Sequence, residues 1–260
     1  MIDTHCHLAD KRFDRDRDQV LDRARHAGVT QLVEIAYGPG VLPRAQALAR
    51  AHPWVHLCLG VHPSESAKVP DTWLTTLREE ARHPRVVALG ETGLDFYRDY
   101  APRADQERWF RAQLALADEL GLPVVIHQRS ALAETLAILE ETKPRAGGVL
   151  HCFDDGPEVV ERARALGFRL GLGGCLTYGH EPLERAVKAA PAEMLVLETD
   201  APYLEPEPRS LRRNEPGLLT RVLARLCALK GWTREEADRI TTANARDLFR
   251  LPGANLASGG

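Results

Sequence analysis

RVVALGETGLDFYRDYAPRADQERWFRAQLALADELGLPVVIHQR, residues 85–129, reads as a strand, a helix and a second strand. The outer runs RVVALGE (85–91) and PVVIHQ (123–128) are short and rich in Val, Leu and Ile, as buried strands are. Between them, Trp109, Phe110, Leu114 and Ala117 share one face of a helix over 103–120, while Glu107, Arg111 and Asp118 turn outward. A helix of this length joining two such strands returns the chain to lay them parallel. The first run ends in Glu91 and the second carries His127 near its end, so the two residues should meet at one edge of the sheet.

The same unit repeats in both directions. MIDTHCH, TQLVEIA, VHLCLGV, GVLHCF, FRLGLGG and MLVLETD complete a set of eight expected strands, and eight closes a barrel. Helical character falls at 14–27, 39–51, 71–82, 131–141, 157–166 and 181–189, often between Gly or Pro. Two further helices are expected at 216–230 and 234–248, after the Pro- and Arg-rich stretch APYLEPEPRSLRRNEP. The expected organisation is α/β: one domain over 1–250, then a flexible tail over 251–260.

Bulk properties narrow the function classes. The chain has 260 residues, 44% hydrophobic, with a formal charge of −3, so no global basic field favours a long-groove DNA reader. Any nucleic-acid contact must be local. Cys6, Cys58, Cys152, Cys175 and Cys227 are odd in number and scattered, which fits neither a disulfide framework nor a zinc knuckle and points to a reducing cytoplasm. MIDTHCHLAD lacks the charged and apolar regions of an export signal, and no membrane span or obligate protein partner is expected.

The strand ends carry His5 and His7, Ala36, His62, Glu91, His127, His151, Gly173 and Asp200. In a parallel barrel these converge on one face. Strand side chains alternate, so His5 and His7 point together and Cys6 away. A single histidine in such a place is more often structural than a ligand. Here five of ten histidines occupy strand ends, which favours a metal site of His5, His7, Glu91, His127, His151 and Asp200. Glu91 is the candidate bridge between two divalent ions (Mg, Mn or Zn). His26, His52, His56, His83 and His180 are expected in helices, helix ends or loops; Cys6 and Cys152 should pack outward, and Glu198 shares the inward parity of Asp200.

MIDTHCHL, GVHP, GETGLDFYRD, LPVVIHQR, GVLHCF, LETDAPYLEP and RRNEP together resemble the TatD hydrolases, metal-dependent deoxyribonucleases, from residue 1 to about 250. The resemblance implies a TIM (β/α)8 barrel, two divalent ions and phosphodiester hydrolysis. It also implies that His5, His7, Glu91 and Asp200 hold one ion and Glu91, His127 and His151 the other. HCFDD departs from the family's usual His-Cys-Phe-Ser-Gly, placing Asp154 and Asp155 after the sixth strand. The related amidohydrolases often use a modified lysine as the bridge, but Lys11, Lys68, Lys143, Lys188 and Lys230 all lie away from the strand ends.

The expected reaction is 3′-5′ exonuclease-type hydrolysis of DNA ends or single strands, with RNA as the other nucleic-acid candidate and DNA repair or fragmentation as the setting. Asp200 would orient the attacking water and accept its proton, with Glu91 as the second catalytic carboxylate. His62 and Arg129 are the expected substrate contacts, and Arg98, Arg209, Arg212 and Arg213 weaker rim candidates. Two alternatives stand beside this. One is an ester or amide hydrolase, such as an aminoacyl-tRNA deacylase; the other is a non-catalytic metal-binding scaffold.

Overall fold

The computed structural model describes residues 1–98, 100–209 and 213–253. Among the described residues, eight parallel strands follow one another in sequence order: β1 (Ile2–Cys6), β2 (Gln31–Ala36), β3 (Val55–Leu59), β4 (Val86–Asp95), β5 (Val124–Arg129), β6 (Gly148–Leu150), β7 (Phe168–Leu172) and β8 (Leu195–Leu197). The two edges meet through the residues after β8. The Asp200 amide donates to His5 O at 2.8 Å and the His7 amide to Ala201 O at 2.7 Å. This closes the expected TIM barrel.

Among the described residues, seven α-helices lie between or beside the strands: α1 (Arg17–His26), α2 (Leu42–Ala51), α3 (Trp73–Glu80), α4 (Arg103–Leu120), α5 (Leu132–Thr142), α6 (Pro157–Ala165) and α7 (Glu181–Ala189). Two more, α8 (Leu219–Lys230) and α9 (Arg234–Phe249), follow β8. In α4 the expected face, Trp109, Phe110, Leu114 and Ala117, is buried. Gly121 ends that helix at φ +66, a conformation without steric cost only for glycine. At α9 the Thr233 side chain accepts from the Glu236 amide while the Glu236 side chain accepts from the Thr233 amide, a reciprocal cap that fixes the start.

Two apolar layers result. Leu32, Leu57, Leu89, Ile126, Leu170 and Leu197 face the helices, and Val33, Ile35, Cys58, Val125, Val149 and Val196 fill the barrel. The last turns of α9 plug that interior with Ala245, Leu248 and Phe249. Leu251 remains buried in the same cluster, and Pro252 O accepts from Gln31 Nε2 at 3.2 Å. The chain is therefore docked to Pro252; residues 254–260 of the expected tail lie outside the described residues.

His56 differs from expectation. It lies inside β3 and is buried, with Nε2 3.3 Å from Gln31 Nε2, because the strand begins one residue before it. Burial, aided by the Arg85 charge, pushes its pKa down to about 4. A depressed histidine favours the neutral folded form, so stability is full above the ordinary value near 6.5 and is lost as pH falls from there through about 4. At 1.36 kcal/mol per unit the loss is about 3 kcal/mol at most. Urea midpoints across this window should fall more steeply for the parent than for His56→Gln; parallel curves would remove His56 as the cause.

Candidate metal centre

His5 and His7 enter the site from β1 and the residue just beyond it. Their Nε2 atoms are 3.2 Å apart, while Cys6 is buried on the helix side, as alternation predicts. Alternation alone does not orient the strand as a whole. Ile2 packs in the barrel interior, three residues before His5, and a register shift between Asp3 and Cys6 reconciles the two. Asp3 stabilises this irregular segment by accepting from the His5 amide, the Thr199 amide and the Thr199 hydroxyl.

Glu91 stands at the centre. It is not at a strand end, since β4 runs four residues further to Asp95. Leu89 faces the helices, so strict alternation would send Glu91 outward as well; the register shift between Gly90 and Thr92 turns it inward. Its Oε2 lies 3.6 Å from His5 Nε2. Its Oε1 lies 2.8 Å from His127 Nδ1, 3.7 Å from His151 Nε2 and 3.8 Å from His62 Nε2. One carboxylate thus faces two groups of imidazoles, as a bridge requires.

Asp200 completes the first group, with Oδ1 3.2 Å from His7 Nε2 and 3.7 Å from His5 Nε2. It sits three residues past β8 at φ +57. Ser130 and Cys152, also at the barrel mouth, share the left-handed conformation at φ 54 and φ 51. Residues in that region cluster where a site demands a particular side-chain direction. At Cys152 the conformation overturns an expectation: the residue lines the cleft rather than packing outward, because left-handed backbone breaks the alternation.

His151 is held from behind. Its ring stacks on His5 with centroids 3.5 Å apart, and its Nδ1 is 2.9 Å from Glu198 Oε1, which also accepts from the Cys152 amide at 2.5 Å. Gly171 on β7 makes room for that carboxylate, since a Cβ there would stand 2.2 Å from Glu198 Oε2. So held, His151 Nε2 lies between the groups, 3.7 Å from Glu91 and 3.9 Å from Asp200. The residue grouped with Glu91 and His127 by mutual distance is His62.

The tautomer of His62 follows from its surroundings. The Ser64 amide can only donate, and it does so to His62 Nδ1 at 3.0 Å. Burial, with the His127 charge, pushes the pKa down to about 3, so the ring is neutral and its proton sits on Nε2, facing the cleft. Asp95 was not singled out from the sequence, yet its Oδ2 is 3.2 Å from His127 Nε2. Its place in GETGLDFYRD, four residues after Glu91 on a strand expected to stop earlier, concealed it.

The field of the site favours cations. Burial alone would push Glu91 up, but the imidazoles of His62, His151 and His5 and the His127 hydrogen bond hold it well below the usual carboxylate range. Burial would push His127 and His151 down, yet Asp95 and Glu91 raise the first to about 9, and Glu198 and Glu91 raise the second to about 10. The carboxylates therefore stay ionised and draw positive charge onto the imidazoles around them. The donor spacing fits a metal ion among them: nitrogens and oxygens bound at ordinary zinc distances around a tetrahedral ion stand about 3.3–3.4 Å apart. The His5, His7 and Asp200 atoms stand 3.2, 3.2 and 3.7 Å apart. Nδ1 of His5 and His7 is buried without a hydrogen-bond partner among the described residues, leaving Nε2 as the engaged atom of each ring.

These groups open into a cleft of about 980 Å³. Arg98 and Arg129 line it, as do Asp154 and Asp155. The other expected rim arginines do not serve there. Arg209 pairs with Glu207 at 3.1 Å and Arg213 with Asp16 at 2.7 Å, while Arg212 lies outside the described residues. The five cysteines are free, and no helix among the described residues is long and apolar enough to cross a membrane.

Known proteins match nearly the whole chain. The chain is 36% identical over 254 residues to the uncharacterized metal-dependent hydrolase YabD of Bacillus subtilis, covering 96% of this chain and 99% of that protein. It is 40% identical over 260 residues to the 3′-5′ ssDNA/RNA exonuclease TatD of Pantoea vagans, covering 96% and 100%. The crystal structure of YJJV, a TatD homologue from Escherichia coli, superposes with a TM-score of 0.92 at 32% identity, covering 97% of this chain and 98% of that one. The family model for TatD related DNase matches residues 2–250, a span that contains every histidine and carboxylate gathered around Glu91, and the chain accordingly belongs to that family of metal-dependent hydrolases.

Proposed function

We propose that the chain is a 3′-5′ exonuclease acting on DNA ends or single strands, with RNA as a second substrate, and that it works with two divalent ions in the cytoplasm. The observation that carries the reading is Glu91, whose two oxygens face separate imidazole groups in a buried, acidic pocket at the floor of an open cleft. His5, His7 and Asp200 would hold one ion and His127 the other, with Glu91 between them and His151 within reach of both. Bound there, divalent ions such as Mg, Mn or Zn would polarise a phosphoryl oxygen and lower the pKa of a water.

The protein's own groups supply the rest. Asp200 orients the attacking water and accepts its proton. His62, neutral with its proton on Nε2, donates to a phosphate oxygen without adding charge. Arg129 at the rim stacks on Tyr97 and has no carboxylate partner among the described residues, so its guanidinium can make a forked contact to phosphate. Glu198 and Asp95 hold His151 and His127 from behind, as partners of metal-bound imidazoles do. Glu198→Gln should therefore weaken metal binding about 10–100-fold, read by competition with a coloured chelator; unchanged affinity would show that His151 needs no such support.

The reaction is tested by removing metal with a chelator, restoring single metals, and offering 3′-labelled single-stranded DNA, RNA and an aminoacyl-tRNA. Mononucleotides should be released from the 3′ end, only with metal restored. Release of the amino acid alone would replace the nuclease reading with a deacylase, and no metal-dependent reaction at all would leave a binding scaffold.

A further inference from the structure

The segments around the cleft mouth differ in chemistry. On the side built by the segments after β4 and β5, Tyr97 and Tyr100 are 61% and 57% exposed, the most exposed large hydrophobic side chains among the described residues. The Arg129 guanidinium lies 4.0 Å over the Tyr97 ring, and that of Arg98 lies 5.5 Å from Tyr97 and 5.9 Å from Tyr100. Neither arginine has a carboxylate partner among the described residues. At two other tyrosines that line the cleft the cation is neutralised: Arg12 over Tyr203 is paired in a fork with Asp10, and Arg209 over Tyr178 with Glu207. Next along the rim, on the segment after β6, Asp154 and Asp155 add acidic groups, and Asp155 Oδ2 accepts from Gln128 Nε2 of β5 at 2.8 Å.

Exposed tyrosines beside arginines are common on surfaces, and alone they would mean little. Here the group is tied to the metal centre by one side chain. Asp95 Oδ1 accepts from the Tyr97 and Arg98 amides, each at 3.0 Å, while its Oδ2 lies 3.2 Å from His127 Nε2. The Phe96 amide donates to Arg129 O at 2.9 Å, which locks the two segments together. The rings and guanidinia are thus held at a set distance from the reacting end of the cleft.

We propose, on the basis of the nuclease reading, that Tyr97, Tyr100, Arg98 and Arg129 form the wall that receives the polymer side of a single-stranded polynucleotide. Bases stack on the two rings and phosphates engage the two guanidinia, a pairing suited to single strands of any sequence. Asp154 and Asp155 on the segment after β6 disfavour phosphate there, so the strand runs over the rings and guanidinia rather than toward β6. Asp95 is the positioning residue that sets this wall relative to His127.

The test measures binding of the metal-loaded enzyme to phosphorothioate-linked oligothymidylates, a dinucleotide and a hexanucleotide, by fluorescence anisotropy. In Tyr97→Ala/Tyr100→Ala the hexanucleotide should bind at least about tenfold more weakly, and its advantage over the dinucleotide should disappear. Tyr97→Phe/Tyr100→Phe should retain that advantage. In Arg98→Gln/Arg129→Gln the slope of log affinity against log salt should fall by about 1.4, two phosphate contacts on a single strand. An unchanged length advantage and salt slope, or a Phe variant as weak as the Ala variant, would overturn the proposal. Wild-type hydrolysis of bis(p-nitrophenyl) phosphate separates the two ideas. If that diester is cleaved while the variants bind normally, the wall falls and the nuclease reading stands; if it is not cleaved, the nuclease reading falls, and the binding series still decides the wall.

Discussion

Asp200→Asn is expected to lower kcat at least about a thousandfold while leaving the fold in place. Asn keeps the shape of the side chain and tolerates left-handed backbone better than most residues, so φ +57 at this position is not a barrier. The backbone bonds that seat the residue, from its amide to His5 O and from the Tyr203 amide to its own carbonyl, do not involve the side chain. What changes is charge. The carboxylate 3.2 Å from His7 Nε2 and 3.7 Å from His5 Nε2 becomes a neutral amide that can neither accept a proton nor balance a cation. Circular dichroism and the thermal midpoint should stay close to wild type while turnover collapses. Activity within tenfold of wild type would show that another group accepts the proton.

Gly93→Ala should damage fold and site together. At φ +139 an L side chain is strained, and a Cβ would stand 2.0 Å from the backbone oxygen of His127. Backbone strain and overpacking of this kind together cost about 4 kcal/mol. For a chain of this size that lowers the thermal midpoint by roughly 10 °C. Because β4 pairs with β5 at Gly93 and His127, relief requires moving the strand that carries the histidine, and metal affinity should fall as well. Gly40→Ala is the control: it meets nothing within 4 Å and should melt within about a degree of wild type. A Gly93→Ala variant as stable as that control would mean that β5 shifts freely.

Much of this was legible in the chain because it depends on local pattern. The two strands and helix of residues 85–129 carry their character in neighbouring residues, and α4 spans the expected 103–120 with its apolar stripe buried. His127 and His151 keep the parity of Val125 and Val149, so alternation orients them correctly. Glu198 is legible for the same reason from Val196.

Other features depend on contacts between distant strands. The register shifts in β1 and β4 that turn His5 and Glu91 inward arise from pairing with neighbours, and counting along either strand does not reveal them. Left-handed backbone at Cys152 reverses its expected direction. His151 lies between the two groups because it stacks on a ring from β1 and is held by a carboxylate from the segment after β8. Asp95 becomes a partner of His127 only because β4 continues past Glu91 alongside β5.

The sequence by itself determined the eight-strand plan and the identity of the residues that gather at the barrel mouth, since periodicity and residue type are local properties of the chain. The tertiary structure alone decided how the gathered residues divide around Glu91, which proton His62 keeps, and which arginines line the cleft. Those outcomes are set by distances of 3–4 Å between side chains far apart in the chain, and at that range cross-strand register, burial and neighbouring charge outweigh any preference a residue has alone.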